Sequence, residues 1–283
     1  MEPVALMGRN PLRLDKSKIS FAGGLEMKSI FAAAILFAAS GQAAADANKE
    51  YANVHTVAVI SVLGNQMDMQ TSGITVFGND DYKLNLDLGL DAQIVQQATA
   101  ALQPQFTVKD VDPAPFAGMA LGTFGLPRQL PAMPKVEGVD AYIVVLPSEL
   151  DPLPSTAEFR GLVVSHGRGF GDGTTLITAQ YAVVVFDAAT GRRIDYGTGQ
   201  IPSTKSIYGH VHPLEFCDNA IWSDAADKIT DEQKGRVKKE LSALVSRSIA
   251  YTMASAGLFD KSHASAVTAG FDTQGDPSCH IGP

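Results

Sequence analysis

The sequence predicts an α/β (α+β) sandwich in which a mainly antiparallel sheet carries helices chiefly on one face. Three observations predict it. Residues 174–201 form two runs rich in β-branched and aromatic side chains on either side of Asp187-Ala-Ala-Thr-Gly191, the pattern of two antiparallel strands joined by a short turn. Residues 54–64 and 139–146 are nearly continuous apolar runs, which suit strands covered on both faces. Thr230-Asp-Glu-Gln233 is a capping box that opens a long amphipathic helix. Strand, helix, two strands, a meander and a closing helix is the order of a layered fold around one core.

Taken in order, the chain first offers an export signal. From Met27 and Lys28 it has a cationic start, an apolar middle too short to span a bilayer and the small-residue end Ala43-Ala-Ala45. This reads as a secretory signal peptide over 27–45. Residues 1–26 lack helical or strand periodicity and read as lying upstream of the true start, Met27. Cleavage near Ala45 yields a periplasmic or secreted protein. It removes five Lys/Arg but only three Asp/Glu, leaving a body more acidic than the whole chain, whose net charge is −8. An acidic body excludes nucleic acid as the expected partner, because phosphates require a basic footprint. No second apolar run reaches the roughly 18 residues of a membrane span. In an oxidising compartment Cys217 and Cys279 either form one disulfide tying the C-terminal tail to the body or are two thiols with Cys217 buried.

The body, 46–259, reads as a single α/β domain. Val57 to Leu63 is its first strand. Residues 65–86 read as a long polar loop holding a short strand, Ile74 to Phe77. Leu90, Ile94, Val95, Ala98 and Leu102 fall at helical spacing and Pro104 stops that helix. Phe106 to Val111 is the next strand. Residues 113–134 contain five prolines and three glycines among Phe116, Met119, Phe124 and other apolar side chains. Such a segment is too broken for one helix and too apolar for a solvated linker, so it either packs on the body or faces a partner or lipid. Ala141 to Leu146 and Phe159 to Ser165 are strands, and four glycines between 167 and 173 lead into the hairpin. The capped helix runs to about Ala256, with Gly257 as a left-handed stop. Residues 260–283 lack periodicity and read as a flexible tail unless Cys279 pins them.

The opening Val57-Ala-Val-Ile, the strand Val139-Asp-Ala-Tyr-Ile-Val-Val and above all the segment from Val183 through Asp187, Thr190 and Gly191 to Arg192 resemble a group of bacterial envelope domains. These are typified by the curli secretion lipoprotein CsgG, the TolB amino-terminal domain and the penicillin-binding-protein activator LpoB. The resemblance spans residues 54–257 and implies a non-catalytic adaptor, regulator or assembly subunit. The chain departs from the lipoproteins in lacking an anchoring cysteine, and no functional residue carries over, because the matching positions are turn and core positions.

Chemistry-bearing groups are sparse. His210 and His212, with Glu215 and Cys217 close by, would put two imidazoles on one side of an extended strand, as two ligands of zinc or copper require, but spacing fixes no third ligand. His166 and Arg168 could touch an anion. Ser165 lacks the Gly-x-Ser-x-Gly elbow and its following helix, and residues 169–175 lack the lysine of a phosphate loop. Asp187 reads as the residue that opens the hairpin turn. The expectation is a periplasmic, non-catalytic binding or adaptor domain without cofactor, acting on an envelope protein or on itself through Phe116, Met119, Phe124, His166 or Arg168. The alternatives are a soluble carrier of a lipid or small apolar ligand, in a cavity lined by Phe116, Met119 and Phe124, and a periplasmic hydrolase or metal enzyme.

Overall fold

The computed structural model describes residues 49–72, 80–103, 105–117, 119, 135–148, 160–167, 173–203 and 209–281, all within one compact unit, Asp46–Pro283. The candidate strand Ile74 to Phe77, Phe124, Arg168 and the leader and signal segments lie outside the described residues.

The centre of the sheet is β7 (Thr174–Asp187), 14 residues long and buried over most of its length. Its C-terminal half pairs antiparallel with β5 (Ala141–Pro147) and β8 (Arg193–Thr198). Its N-terminal half pairs antiparallel with β6 (Gly161–Gly167) and β11 (Leu214–Cys217). Beyond β5 lie β1 (Thr56–Ser61) and β4 (Thr107–Lys109), both parallel; beyond β6 lie β2 (Gln66–Ser72), parallel, and β3 (Asp80–Asn85), antiparallel. A separate two-stranded ribbon joins β9 (Ile201–Pro202) to β10 (His210–Val211). Antiparallel pairings predominate, and the fold class is the α/β (α+β) arrangement expected.

The hairpin turn forms for a local reason. Asp187 Oδ1 accepts hydrogen bonds from the Thr190 amide at 2.7 Å and the Thr190 hydroxyl at 2.6 Å, while Gly191 takes a left-handed φ of +68° that a side chain would oppose. The carboxylate therefore reaches three residues on.

Strand alternation sends side chains to two cores. On one face Val57 and Val59 of β1, Ile143 and Val145 of β5, and Tyr181, Val183 and Val185 of β7 meet α1 (Leu90–Leu102), α2 (Asp231–Ser255) and α3 (Lys261–Thr268). On the other face Ala58, Ile60, Tyr142, Val144, Leu146, Val184 and Phe186 form a second cluster with Phe116. Helix α2 begins at the expected capping box, with the Thr230 hydroxyl accepting from the Gln233 amide at 3.2 Å and the Gln233 side chain accepting from the Thr230 amide at 2.9 Å. It ends before Gly257, whose φ is +72°. Among the described residues no helix is long and apolar enough to cross a membrane.

One expectation is corrected and one alternative is decided. The stretch expected as a polar loop contains β2 and β3, because Met67 and Met69 turn inward in alternation with Asp68 and Gln70, and Leu84 does the same on β3. The tail, expected to be flexible unless Cys279 pins it, is tied down by the Cys217–Cys279 disulfide and is folded as far as residue 281. Asp260 caps α3 by accepting from the His263 amide at 2.7 Å, and His280 bridges to Phe216 on the outer edge of β11.

Candidate functional site

A cleft lies where strand β1 ends. Helix α1 starts beside it without a side-chain cap, on Gly89 at a left-handed φ of +66°. Asp91, in the first turn, reaches back to the strand instead. Its Oδ1 accepts from the Ser61 hydroxyl at 2.5 Å and the Leu63 amide at 3.0 Å, and its Oδ2 from the Gly64 amide at 3.1 Å. A carboxylate near a helix N-terminus is favourably placed in the field of the peptide dipoles, so this contact pins the helix start over the strand end. Strand β4 accompanies β1 only from Thr56 to Ala58 before the chain turns away through Asp110 and Val111. The space between holds about 750 Å³, walled by Val59, Ile60, Val95, Val111 and Pro113. Its polar groups are Ser61, Asp91, Gln96, Thr99, Gln103 and Asp110. The described lining has two carboxylates and no cationic side chain, and Asp91 is engaged by three donors.

The sequence-derived candidates are dispersed. Phe116 is not a surface residue: it is 2% exposed and packs on the Tyr142 ring at a centroid distance of 5.6 Å in the second core, with Met119 partly buried beside it. His166 is half-buried and stacks on Trp222, centroids 5.3 Å apart at 16°. Its Nδ1 lies 3.1 Å from the Thr175 hydroxyl, which donates to Asn219 Oδ1 at 3.0 Å. His212 follows the β10 ribbon at an exposed position, and Cys217, the nearest sulfur to the two histidines in sequence, is bonded to Cys279 with an S–S distance of 2.04 Å. Among the described residues no group of three His, Cys, Asp or Glu side chains could hold a metal ion.

A buried ionic cluster emerges that spacing along the chain could not reveal. Glu215 on β11 and Glu240 on α2, 2% and 0% exposed, both contact the Arg247 guanidinium, Glu240 at 2.6 Å and Glu215 more closely still. Burial pushes the Glu215 carboxyl up to about 7, against the pull of Arg247 and with the help of Glu240. Next to it Arg236 holds Asp276 at 3.0 Å and Asp218 at 3.0 Å, and the Arg236 guanidinium keeps the Asp276 carboxyl down at about 2. The only hint in sequence is an i, i+7 pair, Glu240 and Arg247, on the buried stripe of a helix.

No protein-family model, curated protein or solved structure matches this chain.

Proposed function

We propose that this protein is a non-catalytic binding domain of the bacterial cell envelope, exported to the periplasm, that takes an apolar group of another envelope component into the cleft at the end of β1. The observation that carries the reading is the cleft itself: apolar walls interspersed with six hydrogen-bonding side chains, acids rather than bases among them. Concave, mostly apolar sites with a small number of polar groups suit recognition of small ligands or single side chains. Asp91 and Asp110 select against anions, so the group that enters is neutral or cationic. Ser61 is not paired with a base free to take its proton, since Asp91 is engaged by two backbone amides as well. The resemblance of the hairpin segment Val183 to Arg192 to envelope adaptor domains points the same way.

The test is titration of the purified protein with the neutral fluorophore N-phenyl-1-naphthylamine. Saturable binding is expected in the parent, with its loss in Ala100→Trp, which fills the cleft from the exposed side of α1. Absence of saturable binding, or binding that Ala100→Trp leaves intact, overturns the proposal.

A further inference from the structure

The C-terminal segment is held in place by groups whose charges do not balance. Glu240 Oε2 accepts from the Asp276 amide at 2.7 Å, and Gly275 lies so close that a Cβ there would meet the same oxygen at 2.0 Å. The other oxygen of Glu240 and the carboxyl of Glu215 share Arg247, whose Nε is committed to the Ala243 carbonyl at 3.2 Å. One guanidinium thus faces two buried carboxyls. The neighbouring charges offer no relief, because Arg236 is already taken by Asp276 and Asp218. On β7 the residue opposite Glu215 is the buried aliphatic Ile177. Burial and the neighbouring Glu240 carboxylate both favour the protonated form of Glu215, against the pull of Arg247.

We propose that Glu215, held with Glu240 on Arg247, is a proton-operated fastening for residues 271–281: while the Glu215 carboxyl carries its proton the segment stays clasped to β11, and loss of that proton loosens it. What the segment covers is the outer edge of β11, through the paired Phe216–His280 hydrogen bonds, both 2.9 Å. An uncovered strand edge presents unpaired N–H and C=O groups to any extended chain. The Cys217–Cys279 disulfide keeps the loosened segment tethered, so the change is local and reversible.

The shifted carboxyl sets the working range. Glu215 is moved from its ordinary 4.5 up to about 7, with burial the leading cause. When the fastening opens and the carboxyl regains water, it ionises in the ordinary range. The opening equilibrium therefore rises by up to about tenfold per pH unit between those two values and levels off above the upper one.

The experiment is amide hydrogen exchange by NMR on the purified protein, across pH 4.5 to 8, with each rate corrected for its intrinsic pH dependence. The protection of the Asp276 and His280 amides is expected to fall steeply up to about pH 7 and then flatten. Both amides should exchange faster than those of β5 at every pH, since only part of the molecule opens. Glu215→Gln, which keeps a neutral hydrogen-bonding partner for Glu240, should hold the protection constant across the range. Protection in the parent that is flat with pH overturns the proposal whether or not the variant folds. A pH-dependent loss that persists in Glu215→Gln overturns it as well.

Discussion

Gly197 of β8 lies so close to the last turn of α2 that a Cβ there would sit 2.1 Å from the Ser255 hydroxyl oxygen and 2.3 Å from the Thr252 carbonyl oxygen. The helix rests on strand backbone at this point, and Tyr181 of β7 donates to the Ser248 hydroxyl at 2.6 Å two turns earlier. Gly197→Ala must push the helix away and is expected to destabilise by about 1–3 kcal/mol, the usual cost of overpacking. Gly235, inside α2 with nothing within 4 Å of its Cβ position, provides the contrast. Gly235→Ala should stabilise by about 0.5–1 kcal/mol, because alanine loses less backbone entropy in a helix. Urea unfolding of both variants checks the pair, and a neutral Gly197→Ala would refute the close contact.

Phe116→Ala separates a core role from a surface role. Buried against Tyr142 and the second face of the sheet, the ring should cost about 3–5 kcal/mol on removal, the range of large cavities left by aromatic side chains. A surface phenylalanine would cost about 0.5 kcal/mol or less. The midpoint of chemical unfolding distinguishes the two.

The fold was legible where one physical signal dominated. Val57 to Leu63, Ala141 to Leu146 and the hairpin around Asp187 are apolar or β-branched runs, and Thr230 with Gln233 is a local cap; in each case the determinant lies within a few residues. Strands β2 and β3 were hidden because their inward-facing residues are Met67, Met69, Tyr82 and Leu84 among acids and amides, so the two-residue period does not stand out in composition. The site was less legible. The cleft depends on β4 stopping at Lys109 beside a helix placed by Asp91, and the Glu215–Arg247–Glu240 cluster joins positions 25 and 32 residues apart in the chain. These are properties of register, which sequence spacing does not encode.

Breaking the disulfide should be costly. The bond between Cys217 and Cys279 closes a loop with a sequence separation of 62. Restricting the unfolded chain by such a loop stabilises the folded state by about 4 kcal/mol in the loop-closure account. The paired substitution Cys217→Ala with Cys279→Ala is expected to lower stability by about that amount, and reducing agent should mimic it in the parent. Thermal unfolding with and without reductant makes the comparison, and the double variant should no longer respond to reductant.

Stability should be greatest in mild acid, and the sign follows from two groups. Glu215 binds its proton more tightly folded than unfolded, its carboxyl lying at about 7 rather than 4.5. Its contribution is therefore complete below about pH 4.5 and is lost as pH rises to about 7, about 3 kcal/mol in all. Asp276 behaves oppositely. Held at about 2 by Arg236 instead of the ordinary 3.8, it stabilises above that ordinary value and ceases to do so as pH falls toward 2. The unfolding free energy from urea titrations is expected to peak between about pH 4 and 5 and to decline toward neutrality. Glu215→Gln should flatten the neutral limb and Asp276→Asn the acid limb, each leaving the other in place. A parent protein whose stability rises steadily from pH 5 to 7 would show that Glu215 does not hold its proton more tightly in the folded state.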